Sequence, residues 1–250
     1  MIRDYIALDV ETTGLNPGRD KVLEIGAVRV RDGVEAETFQ TLIDAGTPVP
    51  ERIQELTGIT DEMRRMGRRP EQVYPEFVEF CGDLPVLGHN VQFDFGFLKQ
   101  GAVNQGLTFE KEALDTLKIA RRVLPDLPSR TLAAMCAHYQ VDPGSSHRAL
   151  DDARSAHRVL WKLWEEFGER DPEAFALRRL TYSAKRQSPI TNSQKGYLND
   201  LLKYHRIETS ICIEDMTRSE ASRMIDRIIL QYGRISRGGY VPQERKGNEV

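Results

Sequence analysis

The first forty residues carry the two-residue period of extended backbone. "DYIALDV" (4–10) reads as a strand, and "VLEIGAVRVRDG" (22–33) as a second strand that ends in a turn at Asp32 and Gly33. "VEAETFQTLID" (34–44) alternates apolar and polar positions like a third, antiparallel strand. The prolines of "TPVPERIQELTGIT" exclude a strand, and the segment continues into a short helix stopped near Gly58. Helical spacing follows at Val73, Phe77, Val78 and Cys81, then a short apolar strand in "LPVLGHN" and a helix in "FDFGFLKQGAVNQG". "RTLAAMCAHY" and "RALDDARSAHRVLWKLWEEFG" add two more helices. Strands first and helices laid over them predict an α/β body over residues 1–176.

The polar, basic "RRLTYSAKRQSPITN" is broken by Pro189, and residues 177–190 read as a linker. Thr191 with Gln194, and Thr217 with Glu220, match the capping box that opens a helix. Tyr197, Leu198, Leu201 and Leu202 line one side of the first predicted helix. Ala221, Met224, Ile225, Ile228 and Ile229 do so in the second. Residues 191–234 are therefore expected to form a two-helix hairpin, small enough to need support from the body or a partner. Residues 235–250 read as disordered.

Against this pattern, Asp9 and Glu11 stand out as two carboxylates in an otherwise apolar strand. Residues i and i+2 of a strand share a face, so both project together. A pair of unpartnered carboxylates is costly to bury, and each raises the other's pKa unless a cation intervenes. Hard divalent cations take oxygen ligands, so the pair suits half of a metal site; an isolated D-x-E also fits a partly exposed edge strand. Asp94 falls where a strand ends and a helix opens. His147 and Asp152 lie five residues apart, about 140° round a regular helix, so they can share one centre only if His147 precedes the helix. Ala149, Ala153 and Ala156 share a stripe with Asp152, which would let that helix approach the sheet closely.

Composition narrows the classes. The chain has 250 residues, 40% hydrophobic and 29% charged, with a net charge of -3. This suits a soluble globular protein with no membrane partner, since no apolar run reaches the length of a span. The opening residues lack the layout of a signal peptide, and three widely spaced cysteines, Cys81, Cys136 and Cys212, offer neither a disulfide framework nor a metal clip. A cytoplasmic location is expected. Residues 181–250 hold 12 Lys and Arg against 8 Asp and Glu, whereas residues 1–180 hold 23 against 30. The basic end is expected to meet a polyanion through Lys195, Lys203, Arg218, Arg223 and Arg227. No phosphate-binding G-x-x-x-x-G-K-[ST] loop occurs, which excludes that type of ATPase, and the chain is short for a polymerase.

"DVETTGL", "HNVQFD" and "HRALDDA", in that order, resemble the three motifs of the DEDDh family of 3'-5' exonucleases. That family includes the proofreading epsilon subunit of bacterial DNA polymerase III and the exonuclease domain of Gram-positive replicative polymerases. "PVPERIQELTGITDEM" is similar to the segment joining the first two motifs in that branch. The resemblance covers about residues 1–165. It implies an RNase H-like mixed sheet flanked by helices, followed here by the small helical module. It also implies that Asp9, Glu11, Asp94 and Asp152 bind two Mg2+ ions, with Mn2+ able to substitute, and that His147 is the general base. Two cations about 3.5 to 4 Å apart activate water and hold the leaving oxygen, and an imidazole, with an ordinary pKa of about 6.5, takes the water's proton near neutrality.

The resemblance further implies that Thr12, Thr13, Leu56, Thr57 and Phe93 grip the terminal nucleotide; for Leu56 and Phe93, core packing is an equal alternative. The expected activity is release of nucleoside 5'-monophosphates from DNA 3' ends in proofreading or repair, with a DNA polymerase subunit as a partner. RNA 3'-end trimming and a non-catalytic adaptor for nucleic acid or polymerase are the alternatives. His89 is expected to be structural and His157 to lie at the surface. Asp151 is expected to face solvent, Asp115 to support the active-site wall, and Trp161 and Trp164 to pack in the core. The basic "RRMGRRP" (64–70) bears on substrate preference.

Overall fold

A computed structural model describes residues 2–145, 147–209 and 211–235. The chain divides into two compact units, Met1–Arg186 and Gln187–Val250.

In the first unit the three predicted N-terminal strands form as β1 (Tyr5–Thr12), β2 (Val22–Arg31) and β3 (Val34–Leu42). Three helices follow, α1 (Glu51–Thr57), α2 (Asp61–Arg65) and α3 (Pro70–Cys81). Next come β4 (Val86–Gly88), α4 (Val91–Asn104), β5 (Glu112–Asp115), α5 (Thr116–Val123), α6 (Leu132–Tyr139), α7 (Ala149–Phe167) and β6 (Arg178–Arg179). The six strands form one mixed sheet in the order β3-β2-β1-β4-β5-β6. β1 runs antiparallel to β2 and parallel to β4, so the carboxyl ends of β1 and β4 emerge side by side. Open α/β sheets bind ligands at such strand ends.

Both faces of β1 are covered, and its alternation assigns each residue to a side. Ile6, Leu8 and Val10 join Phe77, Phe95 and Leu98 in one core beneath α3 and α4. Tyr5 and Ala7 join Ala120, Met135, Val159 and Leu160 in a second core beneath α5, α6 and α7. Asp9 and Glu11 continue the odd series, so both fall on the face that α7 covers. Opposite Asp9 in the register stands Gly26 of β2. A Cβ at Gly26 would fall inside the backbone of Ala149 and Leu150, so its absence lets the first turn of α7 lie directly on the sheet. Ala149, Ala153 and Ala156 are fully buried in that approach.

The segment expected to be a linker differs from expectation over its first part. Arg178 and Arg179 pair with Ala113 and Glu112 as a two-residue edge strand, and Leu180 is buried in the core beneath α4. Two adjacent exposed arginines between Leu177 and Leu180 are too short a pattern to reveal a strand. β5 and α5 are likewise additions to the predicted elements.

The second unit contains α8 (Asn192–His205) and α9 (Arg218–Tyr232), each opened by its capping box. Leu198, Leu201, Leu202, Ala221 and Ile228 form its core, whereas Tyr197 stays over a third exposed. The helices run parallel rather than as a hairpin. Gln194 near the start of α8 donates to the Arg218 carbonyl and to Ser222 at the start of α9, and His205 at the end of α8 lies 3.0 Å from the Gly233 carbonyl. Residues 206–209 and 211–217 belong to the connection between them. Of the tail read as disordered, Ile235 packs on this core, and residues 236–250 lie outside the described residues.

Candidate active site

Asp9 and Glu11 occupy the carboxyl end of β1, and the amide between them anchors a third acid. The Val10 N–H donates to Asp94 Oδ1 at 3.1 Å, which brings the first turn of α4 against the strand. Asp94 itself is buried. His89 and Asp115 hold the turn that leads there. The His89 ring lies 2.8 Å from both the Thr116 hydroxyl, at Nδ1, and the Arg130 carbonyl, to which Nε2 donates. Asp115 Oδ1 accepts from the amides of Asn90, Leu117 and Lys118, capping α5 and pinning the start of α4.

His147 lies two residues ahead of α7, in the left-handed region at φ 63° and exposed to solvent. Its N–H donates to Asp152 Oδ2 at 3.2 Å. Ligand atoms of Glu11, His147 and Asp152 lie within 4.8 Å of one another, a group drawn from β1, the loop before α7 and α7 itself. Asp151, expected to face solvent, turns to the loop before α7. It accepts from the Ser145 N–H and sits beside Arg154, so it ties down the loop instead of standing free in solvent.

Crowding these acids shifts their protonation. Burial, and then the charges of Asp94, Asp152, Glu11 and Glu24, hold the Asp9 carboxyl well above its ordinary range. Burial, with Asp152, Glu24 and Asp94, pushes Glu11 up to about 8, while Arg148 opposes the shift. Asp94 is pushed up to about 7 by burial, against the hydrogen bonds that its carboxylate accepts. Burial also raises Asp152, opposed by the His147 amide. Four carboxyls with raised pKa values have two ways to lose their repulsion: protons or a cation. Oxygen donors of this number, joined by one imidazole, fit hard divalent cations. Arg148, a cation close to the group, is already engaged by Glu24.

The residues expected to grip a nucleotide divide. The Thr12 hydroxyl donates to the Gly14 carbonyl and Thr13 Oγ1 accepts from the Lys21 N–H, so both shape the turn after β1. Thr57 is buried, donating to the Ile53 carbonyl and accepting from the Ile59 N–H, whereas Leu56 beside it is 51% exposed. Phe93 is half-buried, its ring centroid 5.0 Å from that of Phe97. His157, expected at the surface, is buried and 2.9 Å from the Tyr5 hydroxyl, which also accepts from Trp161 Nε1. α7 is flanked by both the sheet and α6, so a polar residue on its flank is buried once it finds a partner. Trp164 packs edge-on against Phe175.

The cations of the basic run are already paired. Arg64 is buried against Asp44 and Asp61, Arg68 pairs with Glu76, and Arg69 lies 3.8 Å from Glu71. Sequence reasoning missed Glu24 and Arg148. The visible signal was another lone acid in a buried strand.

Comparison with known proteins now decides the family. The family model described as RNase_T, exonuclease, matches residues 6–160, a range that includes Asp9, Glu11, Asp94, His147 and Asp152. The chain belongs to this exonuclease family. The expected likeness to the epsilon subunit and to PolC-type DNA polymerase III is borne out. The chain is 37% identical over 181 residues to the DNA polymerase III subunit epsilon of Aquifex aeolicus, covering 70% of this chain and 89% of that one. It is 31% identical over 232 residues to the PolC-type DNA polymerase III of Clostridium perfringens, covering 84% of this chain. It spans only 16% of that polymerase's length.

Among solved structures, exonuclease X in complex with 5' overhanging duplex DNA aligns with a TM-score of 0.53 at 25% identity, covering 66% of this chain and 93% of that one. The RNase H-like mixed sheet flanked by helices is therefore the fold of the first unit. Among the described residues no helix is long and apolar enough to cross a membrane.

Proposed function

We propose that this exonuclease removes nucleotides one at a time from the 3' end of single-stranded DNA and releases nucleoside 5'-monophosphates, in proofreading or repair beside a DNA polymerase. The observation that carries the reading is the meeting of Glu11, His147 and Asp152 within 4.8 Å, with Asp94 fastened to the amide between Asp9 and Glu11. Asp9, Glu11, Asp94 and Asp152 would hold two Mg2+ ions, for which Mn2+ can substitute. When bound, such ions supply an activated water and charge stabilisation for the leaving oxygen.

The chain's own groups do the rest. His147 stands exposed on a loop beside Asp152, where its ring can reach a water at the reacting phosphate and accept its proton. The turn held by Thr12 and Thr13, the exposed Leu56 and the half-buried Phe93 offer surfaces for the terminal sugar and base. Contact with apolar side chains grips every base alike, which suits an enzyme that must remove any nucleotide. Thr57 acts through the backbone around Leu56.

The test is a product assay on 3'-labelled and 5'-labelled single-stranded DNA and RNA, with each cation. Mononucleotides released from the 3' end of DNA support the reading. Faster release from RNA makes the chain an RNA-trimming enzyme. A folded wild type inactive with both Mg2+ and Mn2+ makes it an adaptor.

A further inference from the structure

Glu24 is a buried acid outside the proposed metal set. It lies directly opposite Glu11 in the β1–β2 register and is only 1% exposed. Its carboxylate accepts from Arg148 Nη2 at 2.8 Å and Nε at 3.1 Å, a forked charge-assisted pair. It also accepts from the Ala149 N–H at 3.3 Å and from Gln40 Nε2 at 2.9 Å. Ala149 is the first residue of α7, and no side chain of the preceding residue caps that helix. A carboxylate from β2 thus takes the place of the local cap, where the helix end favours negative charge.

The contact lies between the two functional residues of this segment. Arg148 follows His147 directly, and Asp152 belongs to the first turn that Glu24 caps. Gly26, two residues along the same strand, admits the α7 backbone against the sheet. Gly26 sets how near α7 can come, and Glu24 with Arg148 sets where its first turn stops along β2.

We propose that Glu24 and Arg148 are positioning residues, a clasp between β2 and α7 that holds His147 and Asp152 at working distance from Asp9 and Glu11. The inference rests on the catalytic reading above. Arg148 serves twice: its fork fixes direction, and its charge balances an acid that would otherwise add to the four already crowded there. A lysine keeps the charge and loses the fork.

The whole 250-residue chain is tested as wild type, Glu24→Gln, Arg148→Lys and Arg148→Ala, each first checked for folding by circular dichroism. Three quantities are read: Mn2+ affinity by calorimetry, kcat and KM on a single-stranded oligonucleotide, and amide hydrogen exchange along α7. Loss of a partner that orients metal-site residues should cost about 10-fold to 100-fold in kcat or Mn2+ affinity for Arg148→Ala. KM for the oligonucleotide should change little, and exchange should speed up in residues 149–153 while the rest of α7 keeps its protection. Added guanidinium should restore part of the missing kcat, and Arg148→Lys should fall between wild type and Arg148→Ala.

The clasp is overturned if the folded variants keep kcat, Mn2+ affinity and the exchange of residues 149–153 within about twofold of wild type. It is equally overturned if exchange rises evenly over the whole unit, as simple loss of stability requires. If wild type neither binds Mn2+ nor cleaves, while residues 149–153 still loosen in the variants, the clasp stands as a device of position and the catalytic reading fails.

Discussion

The Val10 N–H and the Asp94 carboxylate meet at 3.1 Å, so a backbone amide between two strand acids fixes the third. This hydrogen bond favours the charged form of Asp94, yet burial still pushes its pKa up to about 7, and Glu11 up to about 8. In an unfolded chain such carboxyls titrate near 4. Between those limits the folded protein holds more protons than the unfolded one, so the slope of stability against pH is negative. Their contribution is therefore complete below about pH 4 and is lost as pH rises through about 7 to 8. Urea melts in a chelator should show stability falling from about pH 5 to pH 8, and saturating Mg2+ or Mn2+ should flatten that fall. Asp94→Asn should remove part of the slope. Stability that climbs with pH over this window in the chelated protein would contradict the assignment.

His147 lies exposed on its loop and gives the fold little beyond a backbone hydrogen bond to Asp152. His147→Ala should leave the melting temperature almost unchanged and lower kcat by about 10²-fold to 10⁴-fold, the range for a missing general base. Asp9→Asn should abolish nuclease activity in a protein that still folds. A His147→Ala protein that cleaves at wild-type rate would remove the imidazole from the mechanism.

Gly26 stands opposite Asp9 on the neighbouring strand, and the backbone of Ala149 and Leu150 fills the space of the missing side chain. Gly26→Ala must push the start of α7 off the sheet. Overpacking of this kind costs about 1 to 3 kcal/mol, and here the obstacle is backbone, so the upper end is expected. The same displacement carries Asp152 away from β1, so kcat should drop even at temperatures where the variant is fully folded. Denaturant melts and single-turnover rates measured together separate the two effects.

Asp9, Glu11, Asp94, His147 and Asp152 were legible because each departs from its surroundings: charges in an apolar strand, an acid at a strand-to-helix junction, a histidine out of helical phase. Glu24 breaks its strand in the same way, but its partner Arg148 lies 124 residues away and forms no spaced motif with it. The long strands and helices followed from their periods, whereas the three residues of β4 could be placed only by their apolar run, and the two of β6 not at all. Periodicity identified the buried sides of α8 and α9 but says nothing about relative direction, and a twelve-residue connection permits a parallel return as readily as a hairpin. The pairing of the basic run at 64–70 is invisible in the run itself because its acidic partners, Asp44, Asp61 and Glu76, lie outside it.

The helical unit is the remaining test of the charge asymmetry. Lys195 is engaged by Glu214, but Lys203, Arg218, Arg223 and Arg227 have no ion-pair partner among the described residues. On α9, Arg223 and Arg227 are exposed one turn apart, on the side away from Ala221 and Ile228. If these cations meet phosphate, a chain ending at Arg186, where the first unit closes, should bind single-stranded DNA more weakly at low salt. Its affinity should also depend less steeply on salt, by about 0.7 in the log–log slope for each phosphate no longer neutralised. Arg223→Ala with Arg227→Ala in the full chain should give part of the same change without altering the melting temperature. Fluorescence anisotropy with a labelled oligonucleotide in chelator, over a salt series, reads the slope without cleavage. Equal slopes for the truncated and full chains would assign these arginines to solvent alone.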